Sequence, residues 1–182
     1  MPFVPTLFAM TETYFLQSRR LGFRTWRDED LPIASELWCN PDVTHFFGVS
    51  YDAEGAAARL TRELNLQREH GIQYWPMFLL SDGRHVGCAG LRPYRDGVPE
   101  LGYHLRPEFW GQGMGLEAAE AVARYGFESL GYEQLFAGHH PDHHISRKIL
   151  LKIGFQYIGD EVYPVNGMLE PAYLLRKSAF RR

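Results

Sequence analysis

The spacing of apolar and polar positions changes several times along this chain, and each change marks an element. Leu21 and Phe23 alternate with small or charged neighbours, which predicts a short strand. Acidic residues 28–30 then open a helix carrying Leu31, Ala34, Leu37 and Trp38, and Asn40-Pro41 breaks it. Residues 42–48 read as a short helix or turn. Its Phe46 and Phe47 are too apolar for a solvated loop, so one is expected in the core and the other in the wall of a pocket. Asp52 can cap a long helix through Ala56, Leu60, Leu64 and Gln67 that stops at Gly71. From there the period falls to two. Residues 74–80, 85–94 and 98–105 predict three strands joined by Asp82-Gly83 and Asp96-Gly97 turns, an antiparallel meander.

The segment 98–131 organises the rest. Leu101, Tyr103 and Leu105 alternate until Pro107 removes a backbone donor; Gly111, Gly113 and Gly115 follow at every second position. Ala118, Ala119, Val122, Ala123, Gly126, Phe127 and Leu130 then recur at helical spacing, with Gly131 suited to the C-terminal cap. Beyond it come a strand at 134–139, a helix at 142–153 closed by Gly154, and strands at 155–163 and 170–177 around a loop at 164–167. This order predicts a mixed sheet with helices on both faces. No repeat or linker interrupts it, so one domain is expected over 19–180, with residues 1–18 as a tail, either frayed or partly ordered, and Met10 as an alternative start.

A chain of 182 residues with a formal net charge of -3 carries no basic footprint for nucleic acid. Cys39 and Cys88 are too few for a disulfide framework, which points to a reducing cytoplasm. The opening residues lack the pattern of a signal or anchor, and no later run is long enough to span a membrane.

A strand that ends in a glycine-rich turn and continues as a helix suits an anion. Glycines let a ligand approach the backbone, and the first helical turn offers unpaired N–H groups at the positive end of the dipole. A turn satisfying only its own geometry is the alternative. The GxGxxG spacing of a dinucleotide fold and a phosphate loop ending in Gly-Lys-Ser/Thr are both absent. The run WGQGMG at 110–115 and its continuation GLEAAEAVARYGF resemble the acetyl-CoA loop and motif helix of the GNAT acyltransferases. HPDHHISRKILLKIGF at 140–155 is similar to the second signature of their ribosomal-protein N-terminal acetyltransferase (RimJ/RimL-like) branch, and RRLGFRTWRDEDL to its first strand and helix. Trp110 stands where the superfamily has Gln or Arg, and His143 where the branch has Asn.

The resemblance implies an α/β (α+β) GNAT fold, with a mixed, mostly antiparallel sheet of six to seven strands and helices on both faces. It implies acetyl-CoA as cosubstrate and an amine as acceptor, in a monomer or homodimer. Two central strands would splay, and the pantetheine arm would pair with the strand ending at Leu105 and Arg106. The N–H near Leu105 would hold the thioester carbonyl. Those of Gln112, Gly113, Met114, Gly115 and Leu116 would hold the diphosphate, with His143 at the start of the second helix.

Amide formation needs a neutral nitrogen, a polarised carbonyl and a route for the proton. Glu100 and His104 share a strand face and are candidate bases, each with a purely structural alternative. Leu150 occupies the place where many GNAT enzymes have a tyrosine for the leaving thiolate. Ser146, one turn earlier, is the candidate donor, or else a helix-surface hydroxyl. Phe46, Phe47, Tyr74 and Trp75 are expected at the acceptor pocket. His139, His140, His143 and His144 flank a Pro-Asp turn and need not converge, so no metal is expected. A non-catalytic acyl-CoA-binding module is the rival reading.

Overall fold

The computed structural model describes residues 13–164 and 166–180. Among these described residues, eight strands form one sheet in the order β1-β2-β3-β4-β5-β6-β8-β7. They are β1 Leu16–Gln17, β2 Leu21–Phe23, β3 Tyr74–Leu79, β4 His85–Arg95, β5 Val98–Leu105, β6 Gln134–Gly138, β7 Gln156–Val162 and β8 Leu169–Arg176. The helices are α1 Leu31–Trp38, α2 Pro41–Thr44, α3 Ala53–His70, α4 Met114–Glu128 and α5 His144–Ile153.

Eight strands correct the expected six to seven. The additional strand is β1, inside the stretch expected to be a tail. Leu16 pairs with Phe23, the Phe15 amide bonds to the Phe23 carbonyl at 3.0 Å, and the Phe15 ring packs on Trp75 and Tyr125. The helix ends also shift. Helix α4 stops at Glu128 with Ser129 as its cap, and Gly131, at φ +75°, makes the turn after it. Helix α5 begins at His144, behind His143 as its N-cap.

The β3–β4–β5 meander follows from its turns. Asp96 and Gly97 have φ of 52° and 76°, the left-handed pair that a tight hairpin requires. Asp52 accepts from the Gly55 amide at 2.8 Å to start α3, and Gly71 at φ +70° ends it.

The pleat divides the core in two. On one face, α4 and α5 cover Trp75, Met77, Ala89, Leu91 and Leu101. On the other, α1 and α3 enclose Trp26, Trp38, Tyr74 and Cys88. The only parallel pair in the described sheet is β5 with β6, and its register is a single position, Glu100 opposite Phe136. Past that point the two strands part.

Candidate active site

The parting strands open a cleft of about 140 Å³, which has Glu100 and Tyr103 on β5, Ser146 on α5 and Glu170 on β8 among its walls. The Arg106 N–H bonds back to the Val86 carbonyl at 2.9 Å, so the ladder register turns the peptide groups of Gly102 and His104 toward β4. Those of Leu101, Tyr103 and Leu105 consequently face the opening. The Leu105 carbonyl is taken by Trp110 Nε1 at 2.8 Å. Trp110 thus pins the glycine-rich turn to the end of the strand, a role that its place in the motif did not disclose.

Beyond Trp110 the backbone is built for close approach. Gly111 and Gly113 have φ of 73° and 75°, no side chain caps α4, and its first bond runs from the Glu117 amide to the Gly113 carbonyl at 3.1 Å. The N–H groups of Met114, Gly115 and Leu116 therefore have no acceptor within the helix. A Cβ on Gly115 would lie 3.2 Å from Ile149 Cδ1, so α5 packs closely there and a larger residue would push that side chain aside. Gln112 directs its side chain away, donating to the Glu108 carbonyl at 2.8 Å. Arg106 is a poor fit to the expected cofactor set. Its amide is used by β4 and its guanidinium by Glu36 and Glu108, at 2.9 and 3.0 Å.

On the α5 side, Tyr103 Oη and Ser146 Oγ are 2.9 Å apart. Burial pushes the Tyr103 phenol up to about 12, so it stays protonated. Leu150 provides the apolar floor behind them, fully buried. His143 accepts from the Ser146 amide at 3.1 Å through Nδ1, and burial lowers its pKa. It caps α5 as a neutral ring, the work an Asn does at such a position.

On the opposite face, Glu100 is 7% exposed and accepts from the Tyr163 hydroxyl at 3.1 Å. Burial pushes its carboxyl from 4.5 up to about 7, against the lowering effect of that hydrogen bond; Glu170 nearby adds to the rise. His104 is different in kind. Its Nδ1 accepts from Trp38 Nε1 at 3.4 Å, and burial, with Arg59 nearby, holds its pKa well below the usual range. A ring so placed holds a proton poorly, in contrast to Glu100.

Phe46 and Phe47 both line the cleft, packed on His143 and His104 with centroids 4.3 Å away in each case. Tyr74 joins them, beneath the Arg92 guanidinium at 3.8 Å. Trp75 does not. Neighbours on a strand face opposite ways, and Trp75 lies 1% exposed on the α4 side, against Tyr125. Behind Tyr74, the fully buried Glu63 accepts from Arg59 Nε at 2.9 Å, Arg92 Nη2 at 2.5 Å and the Tyr74 amide at 2.9 Å. Alternation and helix spacing mark each of these residues as inward-facing but cannot show that one carboxylate gathers two arginines. Among the described residues, no group of three His, Cys, Asp or Glu side chains could hold a metal ion, and no helix is long and apolar enough to cross a membrane.

Residues 20–156 match the acetyltransferase (GNAT) domain family, three quarters of the chain, and the chain belongs to that family. It is an acyltransferase by membership, of a family that uses acetyl-CoA as cosubstrate. A relative from Bacillus subtilis (strain 168), the uncharacterized N-acetyltransferase YoaA, is 29% identical over 149 residues, covering 79% of this chain and 84% of the relative. The fold is shared with a GNAT-family acetyltransferase from Bacillus anthracis at a TM-score of 0.78, 21% identity and coverage of 90% and 98% of the two chains. It is also shared with a putative ribosomal-protein-serine acetyltransferase from Vibrio cholerae at a TM-score of 0.76, 16% identity and coverage of 92% and 99%.

Proposed function

We propose that this protein is an acetyl-CoA-dependent N-acetyltransferase that moves the acetyl group directly to a primary amine in a ternary complex. The observation carrying this reading is the single-position contact of β5 with β6, which opens the sheet between Glu100 on one face and the Tyr103–Ser146 pair on the other. Acetyl-CoA supplies the activated thioester. The left-handed glycines and uncapped start of α4 suit its diphosphate, and the N–H groups of Tyr103 and Leu105 suit the pantetheine arm and the thioester carbonyl. The RimJ/RimL-like branch is supported by the α5 signature and by the fold likeness to the Vibrio cholerae protein.

The chemistry follows from the residues present. Glu100, with a pKa near 7, takes the proton lost by the amine as its nitrogen bonds to the thioester carbon. The Leu105 N–H stabilises the oxyanion. As the C–S bond breaks, Ser146, backed by the Tyr103 hydroxyl, donates a hydrogen bond to the departing thiolate sulfur; the thiolate takes a proton from solvent, Glu100 returns the one it accepted to solvent, and the amide and free thiol leave.

Calorimetric titration with acetyl-CoA and with CoA tests this first, followed by thiol release on mixing with primary amines. Micromolar binding and amine-dependent release are the expected results. Absence of binding to either sinks the reading, and binding without turnover of any amine favours the non-catalytic module.

A further inference from the structure

The acceptor side of the cleft holds more negative charge than one base requires. Glu63 engages both Arg59 and Arg92, while Glu100 and Glu170 have no cationic partner among the described residues. Glu170 is 7% exposed, as Glu100 is, and accepts a single hydrogen bond, from Asn166 Nδ2 at 2.8 Å. Asn166 also donates to the Phe47 carbonyl at 3.3 Å, so it fixes the direction of the carboxylate from the roof of the cleft.

Accessibility separates the free groups. Arg59 Nη2 and Arg92 Nε are unpartnered but sealed from the cavity. The second oxygens of Glu100 and Glu170 are unpartnered too, yet are not among the sealed atoms. Arg59 and Arg92 line the cleft as well, but both are held by Glu63, so the open acceptors that a ligand meets are the carboxylate oxygens. Buried carboxylates with unused lone pairs are costly until a cation completes them, and the rings of Phe46, Phe47 and Tyr51 around them also favour a cation. A space of about 140 Å³ holds a guest near the size of benzene, so the enclosed part of the acceptor is short.

We infer that the acceptor is a short primary amine carrying a second cationic group, of the α,ω-diamine class, with the second ammonium held by Glu170. This rests on the acetyltransferase reading, in which Glu100 receives the proton of the reacting nitrogen. The far nitrogen stays charged, pairs with the open oxygen of Glu170 and sets the reach of the near one. A monoamine leaves that oxygen unpaired, and an amino acid with a distal carboxylate sets like charge against it.

The test compares α,ω-diamines of three to six carbons with the monoamines of equal length and with 4-aminobutanoate. Binding is read by calorimetry with and without CoA, and kcat/KM by thiol release from acetyl-CoA. The best diamine should exceed its monoamine by about ten-fold or more in affinity and in kcat/KM, the range expected for one hydrogen bond to a buried charge. The aminobutanoate should be the weakest. Glu170→Gln keeps the shape and the Asn166 contact, and should reduce the diamine-to-monoamine ratio at least five-fold. Equal affinities, preference for 4-aminobutanoate, or an unchanged ratio in the variant overturns the inference. Diamine selectivity in binding without acetyl transfer would overturn the catalytic reading instead, and transfer to diamine and monoamine alike would overturn only the ligand class.

Discussion

Replacing Glu100 with Gln should harm catalysis and help the fold, and the two effects can be read on the same variant. Its carboxyl is raised by burial from 4.5 to about 7. At about 1.4 kcal/mol per pH unit, ionising it in the folded protein costs about 3 kcal/mol more than in the unfolded chain. The folded-state pKa is the higher one, so this group's contribution to stability is complete below pH 4.5, declines as pH rises toward 7, and is gone above it. Glutamine cannot ionise, and its amide oxygen can still accept from Tyr163. Glu100→Gln should therefore be more stable than wild type at pH 8, by up to about 3 kcal/mol, with the difference shrinking toward pH 4.5. Urea unfolding at both pH values measures it. In catalysis, kcat/KM of the wild type, expressed on the concentration of neutral amine, should rise ten-fold per pH unit below about 7 and flatten above, and the variant should lose that inflection and about 100-fold or more in rate. A variant with the wild-type pH profile, or one no more stable at pH 8 than at pH 4.5 relative to wild type, would refute the reasoning.

Two further outcomes follow from other groups. Ser146→Ala and Tyr103→Phe each break the 2.9 Å pair and should lower kcat about ten-fold or more while leaving acetyl-CoA affinity within about two-fold; an equal fall in affinity would instead mark the pair as a binding contact. His85, between Trp26 and Phe78 with both ring nitrogens unpartnered, is pushed by burial from 6.5 down to about 4. Its contribution to stability is present above pH 6.5 and lost as pH falls through 4, a total of about 3 kcal/mol. His85→Phe should remove that share of the acid loss, read by urea unfolding at pH 7.5 and 4.5, and an undiminished loss would contradict it.

Much of the frame is legible in the chain because its signals are local. Period-two alternation announces β3 to β5, the Asp-Gly pairs announce their turns, and the glycine triplet before a small-residue helix announces the left-handed turn that starts α4. The misreadings share one cause, which is that contacts are not local. Strand β1 has two residues and no period of its own; it forms because the Phe15 ring finds Trp75 and Tyr125. Tyr74 and Trp75 both look like pocket aromatics, and only the pleat separates them. The same pleat puts Tyr103 on the α5 side, where it meets a serine 43 residues away. No spacing rule pairs Glu63 with Arg92 either, 29 positions on, or indicates that His104 is spent on Trp38.

The divergence of β5 from β6 also gives the molecule a sheet edge in its own interior. Two antiparallel plates, β1 to β5 and β6 to β8, meet at one bridge and otherwise present rows of peptide groups to each other across a gap. On an outer rim such a row invites another chain to add a strand, and proteins defend it with charge, proline or bulges. Here the defence is steric. The side chains of Phe46, Phe47, Tyr163 and Asn166 line the gap that a strand-adding neighbour would have to enter. An extended, amide-bearing thread has donors and acceptors for either row, so the side chains that stand against a neighbouring strand also screen what enters.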